Sequence, residues 1–346
     1  MKVRLKDIAR NLNLSVMAVS KALRDEPDIS PETKARVNHE AERLAYVPNR
    51  IARNLRGGQS KGIGLIVPWL HEPFAAHITS GLEQEAERFG YELFIAASHD
   101  QSERELARVE GMLQRHVEAL FVLPVIRLQH RSPLFELARK HEVPLIFLDR
   151  YPAGATQYAG VGWVVMDHVR AGELAARYLI ELGHKNFIYL SAPLAASSTS
   201  EHFVGFTKEL KRAGISFSEA AAFSAGADAN AGQQAMEQAL VSQIPFSAVI
   251  CGADTVAVGA MQTLRSRGYR IPQDVSIIGY GGGTIGELTA PPLTTIQQLQ
   301  MEMGRAAFRL WDEMRGGIGI IGGKVLSVEI IARQSTETAR APRLYR

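Results

Sequence analysis

The sequence predicts an α/β protein with a small all-α head at its N-terminal end and two Rossmann-like lobes behind it. Residues 5–23 have the apolar spacing of two short helices joined by a tight turn. From residue 62 onward, short apolar strands alternate with amphipathic helices, which is typical of parallel sheets. The chain has 346 residues, more than one ordinary hydrophobic core accommodates, so several domains are expected.

The composition is that of a globular protein, with 46% hydrophobic and 22% charged residues. No apolar run reaches the roughly 18 residues that a membrane span requires. The first residues, MKVRLKD, become charged before an apolar core can form, so we predict no signal peptide and a cytoplasmic protein. Cys251 is the only cysteine, which excludes an internal disulfide or a cysteine-based metal site.

Charge is distributed unevenly along the chain, although the formal net charge is only +3. Residues 1–61 hold 13 Lys or Arg against 7 Asp or Glu, whereas the remainder holds 26 against 29. A basic head on a mildly acidic body is typical of a module that binds phosphate groups. By charge alone, a basic terminus that is merely solvated is an equally good interpretation. The choice between it and a phosphate-binding module depends on the sequence motif.

The head is predicted to contain three helices around a small core. Asn13 tolerates the left-handed backbone that the first turn requires. Ser15 is placed to cap a second helix over residues 16–24. Ser30, with proline and glutamate after it, opens the third helix. The apolar positions that close this core are Leu5, Ile8, Ala9, Leu12, Leu14, Val19, Ala22, Leu23, Val37, Ala41 and Leu44.

The second helix keeps one face free of the core, which is the arrangement of a helix-turn-helix that contacts duplex DNA. Its outward residues are Val16, Met17, Ser20, Lys21 and Arg24. A basic segment, residues 49–56, follows Pro48 and ends at a glycine pair. As a helix it is too short to be stable alone in water, so it needs a partner such as DNA. A generic three-helix cap is the alternative interpretation.

The head resembles that of the lactose-repressor (LacI/GalR) family. The shared segments are KDIA, SxxxVSKAL, ISPET and YVPNRIARNL. The resemblance implies that the second helix enters the major groove, and that paired hinge helices over residues 48–60 place Leu55 as a wedge in the minor groove. Asn13 replaces the usual glycine, and Ala18 replaces the usual threonine. The residues assigned to DNA are Leu5, Ser15, Val16, Met17, Ser20, Lys21, Arg24, Ser30, Thr33, Asn49, Arg50, Ala52, Leu55 and Arg56.

The body is predicted to form two lobes because its strands are too numerous for one sheet. Ligands of such folds bind at the carboxyl ends of the strands, here between the lobes. The predicted strands are residues 62–68, 91–97, 119–123, 144–148, 186–191, 246–251 and 275–280.

The body resembles the same family, and thus the periplasmic-binding-protein fold, along nearly all its length. Matching segments include VPLIFLDR, IPQDVSIIGYG and PPLTTI. The resemblance implies three crossings between lobes. It places lobe 1 at residues 61–160 and 290–318, and lobe 2 at 161–289 and 319–333. The head ends at residue 47, and residues 334–346 form a tail without a leucine heptad, so a homodimer is expected.

The cleft departs from the family pattern. The family's arginine position is His202, its asparagine is Ala253, its first aspartate of the GYDD turn is Gly281, and its aromatic platform is Ala227. Because these hydrogen-bond donors and acceptors are replaced, we expect the cleft to bind galactosides, ribose and purines only weakly. Trp163 is expected near the lobe junction. The residues assigned to the effector are Trp69, Phe74, Asp149, Arg150, Ser198, His202, Asp254 and Gly281.

Two interpretations of the cleft remain open: a less polar or aromatic effector, or a vestigial pocket in a regulator controlled by a protein partner. The histidine of the cleft, His202, is either a polar ligand contact or a surface helix residue. No nucleophile–base set and no GxGxxG pattern is present, so we predict no catalysis, no cofactor and no metal. The predicted function is a DNA-binding repressor of a pseudo-palindromic operator. An extracytoplasmic receptor shares the body fold but not the basic head.

Overall fold

The structure is a computed structural model that describes residues 3–46, 61–125, 132–192, 196–315 and 322–340. Its described residues form two compact units, one before residue 61 and one from residue 61 on. Among these residues, no helix combines the length and the apolar character that crossing a bilayer demands.

The head contains three helices: α1 (Leu5–Leu12), α2 (Val16–Ala22) and α3 (Pro31–Arg43). Asn13 has a left-handed backbone with φ of 56°, which turns the chain between α1 and α2. The hydroxyls of Ser15 and Ser30 accept hydrogen bonds from the amides of Ala18 and Thr33, so both predicted N-caps are confirmed. Ile8, Val19 and Val37 are fully buried at the centre of the core. Helix α2 ends two residues earlier than predicted.

Lobe 1 is built on a six-stranded sheet in which all neighbouring strands are parallel. Its strand order is β11-β5-β4-β3-β1-β2. The strands are β1 (Gly62–Val67), β2 (Glu92–Ala97), β3 (Leu120–Val122), β4 (Leu145–Leu148), β5 (Val161–Met166) and β11 (Gly322–Leu326). The helices are α4 (Pro73–Arg88), α5 (Ser102–Gln114), α6 (Leu134–His141) and α12 (Gln300–Arg315).

Lobe 2 repeats this plan with a second six-stranded sheet of order β12-β10-β9-β8-β6-β7, in which only β12 is antiparallel. The strands are β6 (Phe187–Ser191), β7 (Ala222–Ser224), β8 (Ala248–Cys251), β9 (Ser276–Gly281), β10 (Thr294–Gln297) and β12 (Glu329–Ile331). The helices are α7 (His168–Glu181), α8 (Ser197–Arg212), α9 (Ala229–Val241), α10 (Asp254–Ser266) and the short α11 (Thr284–Glu287).

Each sheet carries helices on both faces, which explains why its central strands are buried along their whole length. In lobe 1, α4 and α12 cover one face around Trp311, and α5 and α6 cover the other around Phe135. In lobe 2, α9 and α10 pack around Met236, and α7 and α8 pack around Phe206. The two lobes therefore have separate hydrophobic cores.

The expected lobe boundaries at residues 160, 290 and 318 need correction. Strand β5 pairs with β4 in the lobe 1 sheet, so residues 161–166 belong to lobe 1 and the chain crosses after Met166. Strand β10 pairs with β9, so residues 294–297 belong to lobe 2. Strand β11 pairs with β5, which moves residues 322–326 to lobe 1. An apolar strand fits either parallel sheet equally well, so the sequence pattern does not specify which sheet it joins.

Candidate functional site

The head exposes the face of α2 that the sequence analysis assigned to DNA. Met17 and Val16 are 70% and 42% exposed, although both are apolar. Ser20 is partly exposed, one turn after Val16. Apolar side chains held outward on a short helix are suited to contact thymine methyl groups in a major groove.

Two basic residues of this surface have intramolecular partners. The ammonium group of Lys21 pairs with the carboxylate of Asp28 in the following loop. This hydrogen bond lowers the pKa of Asp28. The guanidinium of Arg24 lies 3.2 Å from the Glu26 carboxylate. Both cations therefore have acidic partners within the head.

The remaining head residues divide into those placed by the structure and those outside it. Leu5 is partly buried against the head core, and Thr33 shares a 2.9 Å hydroxyl hydrogen bond with Ser30 at the start of α3. The hinge residues Asn49, Arg50, Ala52, Leu55 and Arg56 lie outside the described residues.

A buried carboxylate fixes α3 against α1. Glu40 accepts two hydrogen bonds of 2.7 Å from the Arg43 guanidinium and one of 2.7 Å from the Asn11 amide. These bonds, led by that from Arg43, lower the pKa of Glu40 to about 2. The sequence analysis missed this link because 29 positions separate Asn11 from Glu40, which is beyond the reach of local sequence patterns.

In the body, a cleft of about 280 Å³ lies between the lobes at the carboxyl ends of their parallel strands. All eight residues assigned to the effector line it: Trp69, Phe74, Asp149, Arg150, Ser198, His202, Asp254 and Gly281. Ala227 and Ala253 line it as well. Trp163, by contrast, packs with Tyr151 on the α5–α6 side of the lobe 1 sheet.

The part of the cleft lining that lobe 1 contributes, here called the lobe 1 wall, contains both an aromatic ring and acidic side chains. Trp69 follows β1, and its ring centroid lies 4.8 Å from that of His99. Glu72, at the start of α4, also lines the cleft. Its pKa is raised, mainly by burial and further by the charges of Asp100 and Asp228, while His71 and Arg150 partly offset this. The sequence analysis missed Glu72, which stands in a loop beside Phe74.

Asp149 follows β4 with a left-handed backbone, φ of 63°, and is 6% exposed. Its Oδ2 lies 3.6 Å from Nη1 of Arg150, a loose ion pair. Arg150 is itself held in place because its Nε donates a 2.8 Å hydrogen bond to the carbonyl of Pro124.

His168 links the lobes beside Asp149. Its Nε2 donates a 2.9 Å hydrogen bond to the Asp149 carbonyl, so in the neutral ring Nδ1 accepts from the Tyr280 hydroxyl at 2.7 Å. The residues assigned to the effector from the sequence did not include His168. The preceding residue, Asp167, caps α7 because its carboxylate accepts a 2.8 Å hydrogen bond from the Arg170 amide. No sequence signal indicated the contact between His168 and Tyr280.

His202 is a core residue and not a surface helix histidine, which overturns that alternative. It is 2% exposed, its Nδ1 is 2.7 Å from the Tyr189 hydroxyl, and its ring stacks on that of Tyr280 at 4.9 Å. Its Nε2 has no hydrogen-bond partner within the described part of the chain. Burial lowers the pKa of His202 to about 3, so the ring is uncharged at neutral pH.

Asp254 is hydrogen-bonded to other groups of lobe 2. Its carboxylate accepts hydrogen bonds from the Thr295 hydroxyl at 2.6 Å and from the Gly283 amide at 3.2 Å. Burial raises its pKa. A Cβ at Gly281 would lie 3.0 Å from Oδ2 of Asp254, and its φ of 152° also favours glycine. The segment from Gly281 to Gly283 is therefore a turn that Asp254 stabilises.

Within the described ranges, no three His, Cys, Asp or Glu side chains are grouped so as to hold a metal ion. Cys251 is buried, and burial raises the pKa of its thiol, so it is a core residue.

Two family models match the chain. Residues 4–49 match the model described as bacterial regulatory proteins, lacI family. Residues 60–314 match the model described as periplasmic binding proteins and sugar binding domain of LacI family. The match therefore covers both units.

Curated relatives and solved structures agree with these models. The chain is 29% identical to the transcriptional repressor CytR of Escherichia coli, over 96% of each chain. It is 28% identical to the repressor PurR of Mannheimia succiniciproducens, over 89% of this chain and 91% of the relative.

Among solved structures, a lac repressor dimer bound to operator and an anti-inducer aligns with a TM-score of 0.87 at 26% identity, covering 97% of this chain and 100% of that one. A CelR–cellobiose complex aligns with a TM-score of 0.73 at 25% identity, covering 96% and 100%. These relatives are transcription regulators rather than enzymes. With a helix-turn-helix head and a two-lobed binding body, the chain belongs to the LacI family of bacterial regulatory proteins.

Proposed function

We propose that this protein is a cytoplasmic, homodimeric repressor that binds a pseudo-palindromic operator under the control of a small molecule held between its lobes. The observation that carries the proposal is the outward face of α2, where Met17 is 70% exposed beside a capped helix start. A helix-turn-helix places such a face of its second helix in the major groove of duplex DNA. The lac repressor dimer bound to operator supports both the dimer and the DNA target.

DNA binding is tested on duplexes selected from a random pool with the full chain. Two basic heads neutralise on the order of 6–10 phosphates, so affinity should fall by roughly 10³ or more between 50 and 200 mM salt. A folded dimer that retains no duplex at the lower salt concentration would contradict the proposal.

The contacts that specify sequence are tested by two variants. Met17→Ala should alter base preference and cost about 1 kcal/mol, the low end of a base-edge contact. Leu55→Ala, in the segment outside the described residues, should weaken operator binding and spare random DNA, because a wedge acts only where DNA is kinked. An equal loss on both DNAs would reject the hinge assignment.

A working effector cleft is favoured over a vestigial one. About 280 Å³ of space remains between the lobes, and side chains from both of them line it. The lining combines apolar and aromatic side chains with polar groups from both lobes, and such a mixture is usual in a small-molecule site. We propose a less polar or aromatic effector held against Trp69 and Phe74, with Asp149 fixing its orientation.

A further inference from the structure

One buried ring nitrogen of the cleft lining has no hydrogen-bond partner. His202 lies on α8 four residues after Ser198 and three after Thr199, and all three residues line the cleft. Residues at this spacing share one face of a helix, so His202 belongs to the face of α8 that borders the cleft. The residue is 2% exposed, and its Nε2 forms no hydrogen bond with any described residue. Because an unpaired buried polar atom is costly, we expect a ligand to supply the partner.

The neighbours of the ring determine which part of it a ligand can meet. The Nδ1 edge lies against Tyr189, whose hydroxyl is 2.7 Å from Nδ1. One face of the ring is covered by Tyr280, with the two ring centroids 4.9 Å apart and the planes 29° from parallel. The contact of His202 with the cleft is therefore left to the Nε2 edge and the opposite face.

The same neighbours determine whether Nε2 donates or accepts. Burial raises the pKa of the Tyr189 phenol, so its hydroxyl keeps its hydrogen. A phenol is a better donor than acceptor, so this hydroxyl donates to Nδ1. The ring of His202 is neutral at neutral pH, and a neutral ring that accepts at Nδ1 carries its hydrogen on Nε2. Nε2 is thus an uncharged hydrogen-bond donor.

Contacts with lobe 1 fix the position of this donor. The hydroxyl of Tyr280, which stacks on His202, lies 2.7 Å from Nδ1 of His168. Nε2 of His168 donates a 2.9 Å hydrogen bond to the carbonyl of Asp149, which follows β4 of lobe 1. His202 is therefore held before a ligand arrives, which lowers the entropic cost of pairing with it. A ligand bound to Nε2 also contacts a wall that depends on the arrangement of both lobes.

Charged groups are poor partners for this donor. A carboxylate would lose its hydration on reaching a residue that is 2% exposed, and the neutral ring supplies no opposite charge in return. An ammonium group has no lone pair to accept the hydrogen. A carbonyl oxygen or the nitrogen of a neutral heteroaromatic ring accepts one hydrogen and carries no charge. The aromatic rings of Trp69 and Phe74 across the cleft suit the flat body that bears such a group.

We propose that the effector is an uncharged planar molecule whose carbonyl oxygen or ring nitrogen accepts a hydrogen bond from Nε2–H of His202. This inference rests on the effector cleft of the proposed function and names the class of ligand that it takes. His202 is then the residue that selects an uncharged acceptor over an acid or an amine.

The inference is tested by calorimetry on the full chain without DNA, with probes that share one ring skeleton. These are 1-indanone (neutral acceptor), indane (no acceptor), indane-1-carboxylate (anion) and 1-aminoindane (cation). 1-Indanone should bind about tenfold more tightly than indane, the effect of one hydrogen bond to a buried partner, and more tightly than either ion. Equal affinities for 1-indanone and indane, a preference for either ion, or no binding of 1-indanone at millimolar concentration would overturn the inference.

A variant of His202 assigns the preference to Nε2. In His202→Asn, the amide oxygen can replace Nδ1 as the acceptor for Tyr189, and no group replaces Nε2. The preference for 1-indanone over indane should fall to about one. His141→Asn changes an exposed histidine at the end of α6, so it is the matched control and should keep the tenfold preference.

A preference that survives His202→Asn, or that disappears in His141→Asn, would overturn the inference. Thermal unfolding of each variant shows whether it is folded. If His202→Asn is not folded, the four probes on the unchanged chain decide the question by themselves.

A parallel measurement separates this inference from the proposed function. Gel shifts with the selected duplex report DNA binding independently of the probes. If the duplex is bound and 1-indanone is not preferred, the ligand inference fails and the repressor proposal stands. If 1-indanone is preferred and no duplex is bound, the repressor proposal fails instead.

Discussion

Each lobe presents the carboxyl ends of a six-stranded sheet to the cleft, but the groups it places there differ in burial and in charge. Lobe 1 contributes carboxylates beside Trp69, and Glu72 among them has no described hydrogen-bond partner. Lobe 2 contributes Tyr189, His202 and Tyr280, which are buried; a hydrogen bond joins Tyr189 to His202, and the rings of His202 and Tyr280 stack. The difference indicates that the lobe 2 wall is part of a hydrophobic core, whereas Glu72 on the lobe 1 wall has no described side-chain partner that holds it in place.

The largest expected effect comes from tightening the helix pair that carries the lobe 2 wall. A Cβ at Gly205 on α8 would lie 1.9 Å from the backbone oxygen of Val169 on α7. Gly205→Ala must therefore move one helix, and we expect it to destabilise the chain by about 3 kcal/mol or more, at or beyond the usual cost of overpacking. Chemical denaturation followed by circular dichroism measures the loss.

Gly111→Ala is the control for Gly205→Ala. Gly111 lies on α5 of lobe 1, and the nearest atom to its added Cβ is the flexible end of Arg115 at 3.5 Å. Because alanine favours a helix over glycine, this variant should gain about 0.5–1 kcal/mol. If both variants lose the same stability, the close α7–α8 contact is not the cause of the loss in Gly205→Ala.

The second prediction concerns the hydrogen bond that joins His168 to the lobe 2 wall. Tyr280→Phe removes the donor 2.7 Å from Nδ1 of His168 and leaves a buried acceptor unsatisfied, which should cost about 1–3 kcal/mol. Tyr178→Phe removes a longer bond, 3.2 Å to Thr336, at a partly exposed site, and should cost less. If Tyr178→Phe costs as much as Tyr280→Phe, the lobe 2 wall is not distinguished by its burial.

The head shows how far local sequence signals extend. Asn13, Ser15 and Ser30 each act through backbone groups within a few residues, so composition and spacing predict them. The exposed face of α2 follows from the same periodicity. The pairing of Lys21 with Asp28 could not be predicted, because it depends on how the following loop returns to the helix.

The cleft shows where those signals end. Strand ends predict which residues line it, and the resemblance supplied Asp149, Ser198 and His202. Their surroundings depend on contacts between distant elements: His168 meets Tyr280 across 112 positions. The lobe boundaries failed for a related reason, since β5 and β11 are apolar or alternating segments that fit either sheet.

The third prediction uses pH to probe the burial of His202. Its folded pKa is about 3, whereas the ordinary value is 6.5. Between these values the unfolded chain binds a proton that the folded chain does not, so acid stabilises the unfolded state. At about pH 5 this costs the folded state about 2 kcal/mol, which should be absent in His202→Gln.

For His202, the quantity to compare between the two proteins is the slope of stability against pH, and not the stability at a single pH. Denaturation midpoints of the two proteins are compared from neutral pH down to about pH 4. The native chain should lose stability more steeply than the variant below about pH 6.5. Parallel curves would show that His202 is accessible to protons and that the lobe 2 wall is open.

The smallest expected effect is at Glu72 of lobe 1, and its sign is opposite. Its folded pKa is raised, so the folded chain binds the proton more readily and loses stability as the pH rises above the ordinary value of 4.5. Glu72→Gln removes that loss and should raise the midpoint at neutral pH slightly. Because Glu72 is only partly buried, solvent screening limits the gain to a fraction of 1 kcal/mol. A clear decrease in stability would place Glu72 among the structural residues and remove the contrast between the two walls.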